Sequence, residues 1–61
     1  MQGINIYTLY EDKNKNKVYV MALAERADKY ELMVVCHDFS DERLIYVIPE
    51  ELFLSEYKEI S

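Results

Sequence analysis

Cys36, His37 and Asp38 are consecutive and form the one concentrated run of reactive side chains in the 61 residues. A nucleophilic thiol needs a base within hydrogen-bond reach and a third group to orient that base. The residues leading into the run (Leu32, Met33, Val34, Val35) favour a strand, on which neighbouring side chains point to opposite faces. Cys36 and His37 then meet only across a subunit interface, which is what a minimal enzyme built on them would require. Within one chain, Cys36 reads as a small core residue, since free cysteine is among the most buried types. His37 reads as a strand-end surface residue. Zinc needs three or four ligands, and one Cys with one His does not supply them. Glu50 with Glu51 and Glu56 with Glu59 offer paired carboxylates. Acid–base work requires one of a pair to be buried with a raised pKa, and these positions read as solvated. A phosphate-cradling Gly-rich loop has no basis in a chain whose single glycine is Gly3. The expectation is a protein that is not an enzyme, with no cofactor and no metal.

The elements that hold these residues must come from a short chain. At 7.3 kDa, with 51% apolar and 31% charged residues, one Gly, one Pro and one Cys, it has room for a single domain, residues 1–61. The apolar content excludes disorder, and the scarcity of Gly and Pro excludes collagen-like and low-complexity chains. A lone cysteine excludes an internal disulfide, so packing must supply nearly all the stability.

Residues 4–10 read as a first strand, and the polar run 11–17, with its lysines and asparagines, as a turn. Residues 17–24 are the clearest strand. Val18, Val20, Ala22 and Ala24 are expected on one face, and Tyr19, Met21 and Leu23 on the other. Residues 25–29 form a charged turn, 31–37 a third strand, 37–42 a turn and 43–48 a fourth strand. Pro49 ends it and opens a helical turn through Phe53, with Glu50 and Glu51 at its favourable N-terminal end. Residues 54–60 fit both a helical stripe and an alternating strand, and we favour a helical turn followed by a strand. Four or five short strands with polar turns predict an all-β protein, either a small antiparallel SH3-like barrel or a meander.

An antiparallel sheet wetted on one side should alternate apolar and polar residues, and the three middle strands do not. Filling a core with one face leaves Tyr19, Met21, Leu23, Met33, Val35, Ile45 and Val47 on the other. Covering each such side chain is worth roughly 1.5–3 kcal/mol. The expected cover is the C-terminal segment, a second copy in a homodimer, or another protein. Tyrosine is enriched at interfaces, and Tyr10, Tyr30 and Phe39, near turns, are the expected aromatic contacts.

The net charge is −5, with five cations against four anions in residues 1–30 and two against eight in residues 31–61. Direct nucleic-acid binding is disfavoured because phosphate-binding domains carry a basic face. Glu50, Glu51, Glu56 and Glu59 form an expected acidic patch. The start of the chain lacks the basic and apolar regions of a secretion signal, and no apolar run approaches the roughly 20 residues of a membrane span. With a free Cys36, a cytoplasmic location is expected.

The pieces Lys17-Val18-Tyr19-Val20, Leu32-Met33-Val34-Val35 and Tyr46-Val47-Ile48-Pro49, followed by Glu51-Leu52-Phe53, together resemble a family of short bacterial and phage proteins of unknown function with an SH3-like barrel. The likeness spans most of the chain. The family carries Trp where Tyr46 stands, Arg where Ile48 stands and Tyr where Cys36 stands, and a His-Ser-Glu-type turn in place of Glu25-Arg26-Ala27-Asp28. The resemblance implies a fold and supplies no activity. The sequence thus points to a small non-catalytic interaction module, phage or bacterial in origin. An acidic inhibitor that imitates nucleic acid is the alternative.

Overall fold

The computed structural model describes residues 3–60. Met1, Gln2 and Ser61, the ends of the expected 1–61 domain, lie outside the described residues. The elements are β1 (Thr8–Asp12), β2 (Lys17–Arg26), β3 (Glu31–Asp38), β4 (Ile45–Pro49), α1 (Glu50–Glu56) and β5 (Tyr57–Glu59). They form one antiparallel sheet in the order β4-β3-β2-β1-β5. Among the described residues the protein is all-β with one short helix: β1–β4 form a meander, and the chain crosses back through α1 so that β5 pairs with β1. β4 and β5 remain at opposite edges, so the sheet does not close into a barrel.

The first strand starts later than the sequence predicts. Tyr7 takes a left-handed backbone (φ 59°), which interrupts the extended run. Ile4 is buried in the core, and the Asn5 amide donates to Tyr10 Oη at 3.0 Å. β1 and β2 join through a hairpin governed by Asp12. Its carboxylate accepts the amides of Asn14 and Asn16, each at 2.9 Å, and Asn16 Nδ2 at 3.1 Å. Lys15 occupies the left-handed position of this tip (φ 68°). Asp38 plays the same part after β3, accepting from Ser40 N, Ser40 Oγ and Asp41 N. β4 begins at Ile45 and not at residue 43, because Arg43 and Leu44 still belong to this turn. Their amides donate to Asp41 Oδ1 and to the Asp41 carbonyl, each at 3.0 Å.

Pro49 lies just before α1 in an extended conformation, and Glu50 and Glu51 occupy the first turn. The helix runs one turn further than Phe53 before the Tyr57 amide closes it on the Phe53 carbonyl. The favoured order, a helical turn and then a strand, is found, but residues 54–56 continue the helix and the strand is only Tyr57–Glu59. β5 returns antiparallel to β1, with Tyr57 opposite Asp12 and Glu59 opposite Tyr10.

The core lies between one face of the sheet and α1. It comprises Ile4, Tyr10, Val18, Val20, Val34, Cys36 and Phe53, with Ile48 and Tyr57 packed against it. The Phe53 ring meets Tyr10 edge-on at 5.0 Å and stacks on Tyr57 at 4.6 Å. Among the described residues no helix is long and apolar enough to cross a membrane.

Candidate functional site: the outer sheet face

Cross-strand register decides which side chains share the face turned away from α1. Tyr19 lies opposite Leu9 and His37, and His37 lies opposite Ile45. Val35 lies opposite Ala22 and Val47, and Met33 opposite Ala24 and Pro49. Tyr19, Met33, Val35, Ile45 and Val47 are therefore brought together as the sequence predicts. Ile45 and Val47 are each 57% exposed.

One member of the predicted face, Leu23, is not part of it, and Met21 sits at an irregularity in the strand. The β2–β3 register slips between Val20 and Ala22, where a bulge leaves Met21 without an opposite residue. An extra residue in one strand exchanges the two faces beyond it. Leu23 consequently lies opposite the buried Val34, on the core side, and Ala22 and Ala24 turn to the outer side. The expected grouping of Ala22 and Ala24 with Val18 and Val20 fails for the same reason. Nothing in residues 17–24 marks the bulge, because every position after Lys17 in that run is apolar or aromatic.

Tyr10 also requires correction as a contact residue. It is 4% exposed, sits at the centre of β1 opposite Val18, and uses its hydroxyl to accept the Asn5 amide. Tyr30 and Phe39 do stand at turns and are exposed; Tyr30 reaches 83%. Tyr30 has a left-handed backbone (φ 52°) at the β2–β3 turn. Phe39, whose amide donates to the Lys17 carbonyl at 3.0 Å, borders a shallow apolar depression with Leu9, Tyr19 and His37. Leu9 was legible only through its alternation with Tyr10, once β1 is placed correctly.

The outer face has charged ends and an uncharged middle. Glu11 and Lys17 are paired at 3.7 Å at one end, and Arg26 reaches Glu31 at 3.8 Å at the other. The expected acidic patch is dispersed. Glu50 and Glu51 border a cleft with Lys29, Tyr30 and Glu31. Glu56 borders a separate one with Lys13, Lys15 and Lys58, and Glu59 accepts a hydrogen bond from Asn5 Nδ2 at 2.9 Å.

The Cys-His-Asp run is divided by the sheet. Cys36 is fully buried on the core side, opposite Val20 and Tyr46, and burial pushes its thiol up to about 11. His37 lies on the outer side, its ring 5.3 Å from that of Tyr19, with Nδ1 2.8 Å from the Asp38 carbonyl. That distance assigns the ring proton to Nδ1, which donates to the carbonyl. The Asp38 carboxylate is committed to Ser40 and Asp41, and the Ser40 hydroxyl above all holds it below its ordinary pKa. Among the described residues no group of three or more His, Cys, Asp or Glu side chains is placed to hold a metal ion.

Comparison with protein-family models, with curated proteins and with solved structures finds no significant match to the chain.

Proposed function

We propose that the chain is a non-catalytic protein-interaction module that works through the outer face of β2, β3 and β4. One observation carries this reading: the register gathers Tyr19, Met33, Val35, Ile45 and Val47 on the side of the sheet that α1 leaves uncovered. Covering each such side chain contributes roughly 1.5–3 kcal/mol. An apolar centre bounded by charged ends is also the usual anatomy of a protein interface. The proposed partner is a protein surface with an apolar centre, met in a bacterial or phage-infected cytoplasm. The family likeness stays part of this proposal, since its three sequence pieces fall in β2, in β3 and across β4 into α1.

The test is affinity capture followed by titration with the purified partner, comparing the native chain with Val35→Glu. A partner that binds the native chain and binds the variant at least tenfold more weakly, the equivalent of about 1.4 kcal/mol, supports the reading. Equal affinity for both chains would remove it.

A further inference from the structure

The two edges of the sheet are protected very differently. The β5 edge is three residues long and carries Lys58 and Glu59. Short, charged edges resist pairing with other strands. The β4 edge carries Ile45, Tyr46, Val47 and Ile48 with no charge among them. Leu44, Ile45, Tyr46 and Val47 are all exposed, although they alternate between the two faces.

The hydrogen-bond phase of that edge follows from one contact. The Asp38 amide donates to the Leu44 carbonyl at 2.9 Å, and the β3–β4 register continues with Cys36 opposite Tyr46 and Val34 opposite Ile48. Backbone groups alternate in an antiparallel ladder. Leu44, Tyr46 and Ile48 therefore turn their N–H and C=O groups toward β3, and Ile45 and Val47 turn theirs outward. Among the described residues, no other backbone group bonds to them.

We propose that this edge pairs antiparallel with β4 of a second copy of the chain, about a two-fold axis at Tyr46. The proposal goes beyond the interaction-module reading, because it uses the backbone edge of β4 and not the outer face. With Tyr46 facing its own counterpart, Ile45 meets the partner's Val47, and Val47 meets the partner's Ile45. All four outward groups of these residues on each chain are then bonded, giving four interchain hydrogen bonds. Centring the axis on Val47 instead places Ile45 against the partner's Pro49, which has no N–H, and leaves the Ile45 carbonyl unmatched. Centring it on Ile45 places Val47 against the partner's Arg43, whose amide is already committed to Asp41.

Charged residues flank the strand at both ends. Arg43, with its side chain 88% exposed, precedes β4, and the acidic pair Glu50 and Glu51 follows it. Antiparallel pairing sets Glu42 and Arg43 beside the partner's Glu50 and Glu51, but the Arg43 guanidinium already holds Asp41 at 3.1 Å, so the backbone pairing and not the end charges carries the contact. The pairing is closed, because one two-fold axis uses up the open edge of both copies. It covers only the edge of one five-residue strand, less than the roughly 800 Å² per partner of a standard stable interface. The dimer is accordingly weak and depends on concentration.

The experiment is sedimentation equilibrium of the full chain from roughly 1 µM to 1 mM, the range of weak association. The native chain should pass from monomer to dimer. Val47→Pro deletes an outward N–H and leaves the bonds to β3, and Ile45→Lys puts a charge on the edge. Each should weaken dimerisation at least tenfold while a cooperative thermal melt persists. Tyr46→Cys, made together with Cys36→Ala because Cys36 lies directly opposite in β3, should link two copies by a disulfide under mild oxidation, since directly opposed residues of a non-hydrogen-bonded pair lie about 4.5 Å apart. A native chain that stays monomeric overturns the proposal, as does a dimer indifferent to both edge variants. Tyr19→Glu, on the outer face two strands in from β4, should leave the dimer intact. If that variant alone abolishes it, the face is the self-contact: the edge proposal falls, and the interaction-module reading stands.

Discussion

At the scale of single residues, Cys36 shows how far side-chain type and local environment separate. The thiol is fully buried beside Val20 and is held protonated by the absence of water around it. Alkylation of the native protein by iodoacetamide should proceed only as fast as the chain unfolds, which a comparison of rates with and without urea measures. Cys36→Ser should cost about 1–3 kcal/mol, because it places a hydroxyl in the core without a designed partner. Urea denaturation reads this directly. The thiol value rises from 9.0 in the unfolded chain to about 11 in the fold, so its contribution is complete below pH 9 and is lost as the pH rises toward 11. The aspartates behave in the opposite sense. The Asn16 amide above all lowers Asp12, the Ser40 hydroxyl lowers Asp38, and the Arg43 guanidinium lowers Asp41. Their share of the stability is present above the ordinary value of 3.8 and disappears as the pH falls through their lower folded values. The urea midpoint should therefore hold steady between about pH 5 and 7 and fall below about pH 4.

At the scale of elements, α1 matters chiefly through Phe53, its one buried residue. That ring joins Tyr10 of β1 to Tyr57 of β5 and closes the core on the side opposite the sheet. Phe53→Ala should cost about 3–5 kcal/mol. A single core of this size supplies no more than roughly 3–5 kcal/mol of net stability, so circular dichroism should show the variant largely unfolded at 25 °C. The β2–β3 turn makes a different prediction. Tyr30 is exposed with φ 52°, a conformation that costs a residue with a Cβ about 1–2 kcal/mol. Tyr30→Gly should raise the melting temperature, with a net gain of up to about 1 kcal/mol after the added freedom of the unfolded chain. If the partner uses this aromatic ring, the same variant gains stability and loses affinity together.

At the scale of the whole molecule, the uncovered sheet face and the open β4 edge are two consequences of one fact. A sheet of five short strands with a single seven-residue helix covers one face only, and it ends without closing on itself. The number of strands, the polar hairpin tips and the helix–strand ending were legible in the chain. Turn-forming Asp and Asn residues, Pro49 and runs of β-branched residues act locally. The apolar surplus was equally legible, because composition does not depend on how strands pair. Other features were hidden. The bulge that removes Leu23 from the outer face lies in a run where every side chain suits either face. Tyr10 looked like a turn aromatic until β1 was shifted by its contacts with β2, β5 and Asn5.

Local chemistry in the 61 residues thus determined that this protein is a small antiparallel β domain with more apolar surface than its core can use. Tertiary structure alone decided which residues form that surface. Strand register, the bulge after Val20 and the failure of β4 to meet β5 arise from contacts between residues far apart in the chain. A pattern that is apolar on both sides carries no preference between the faces, so only those contacts could choose.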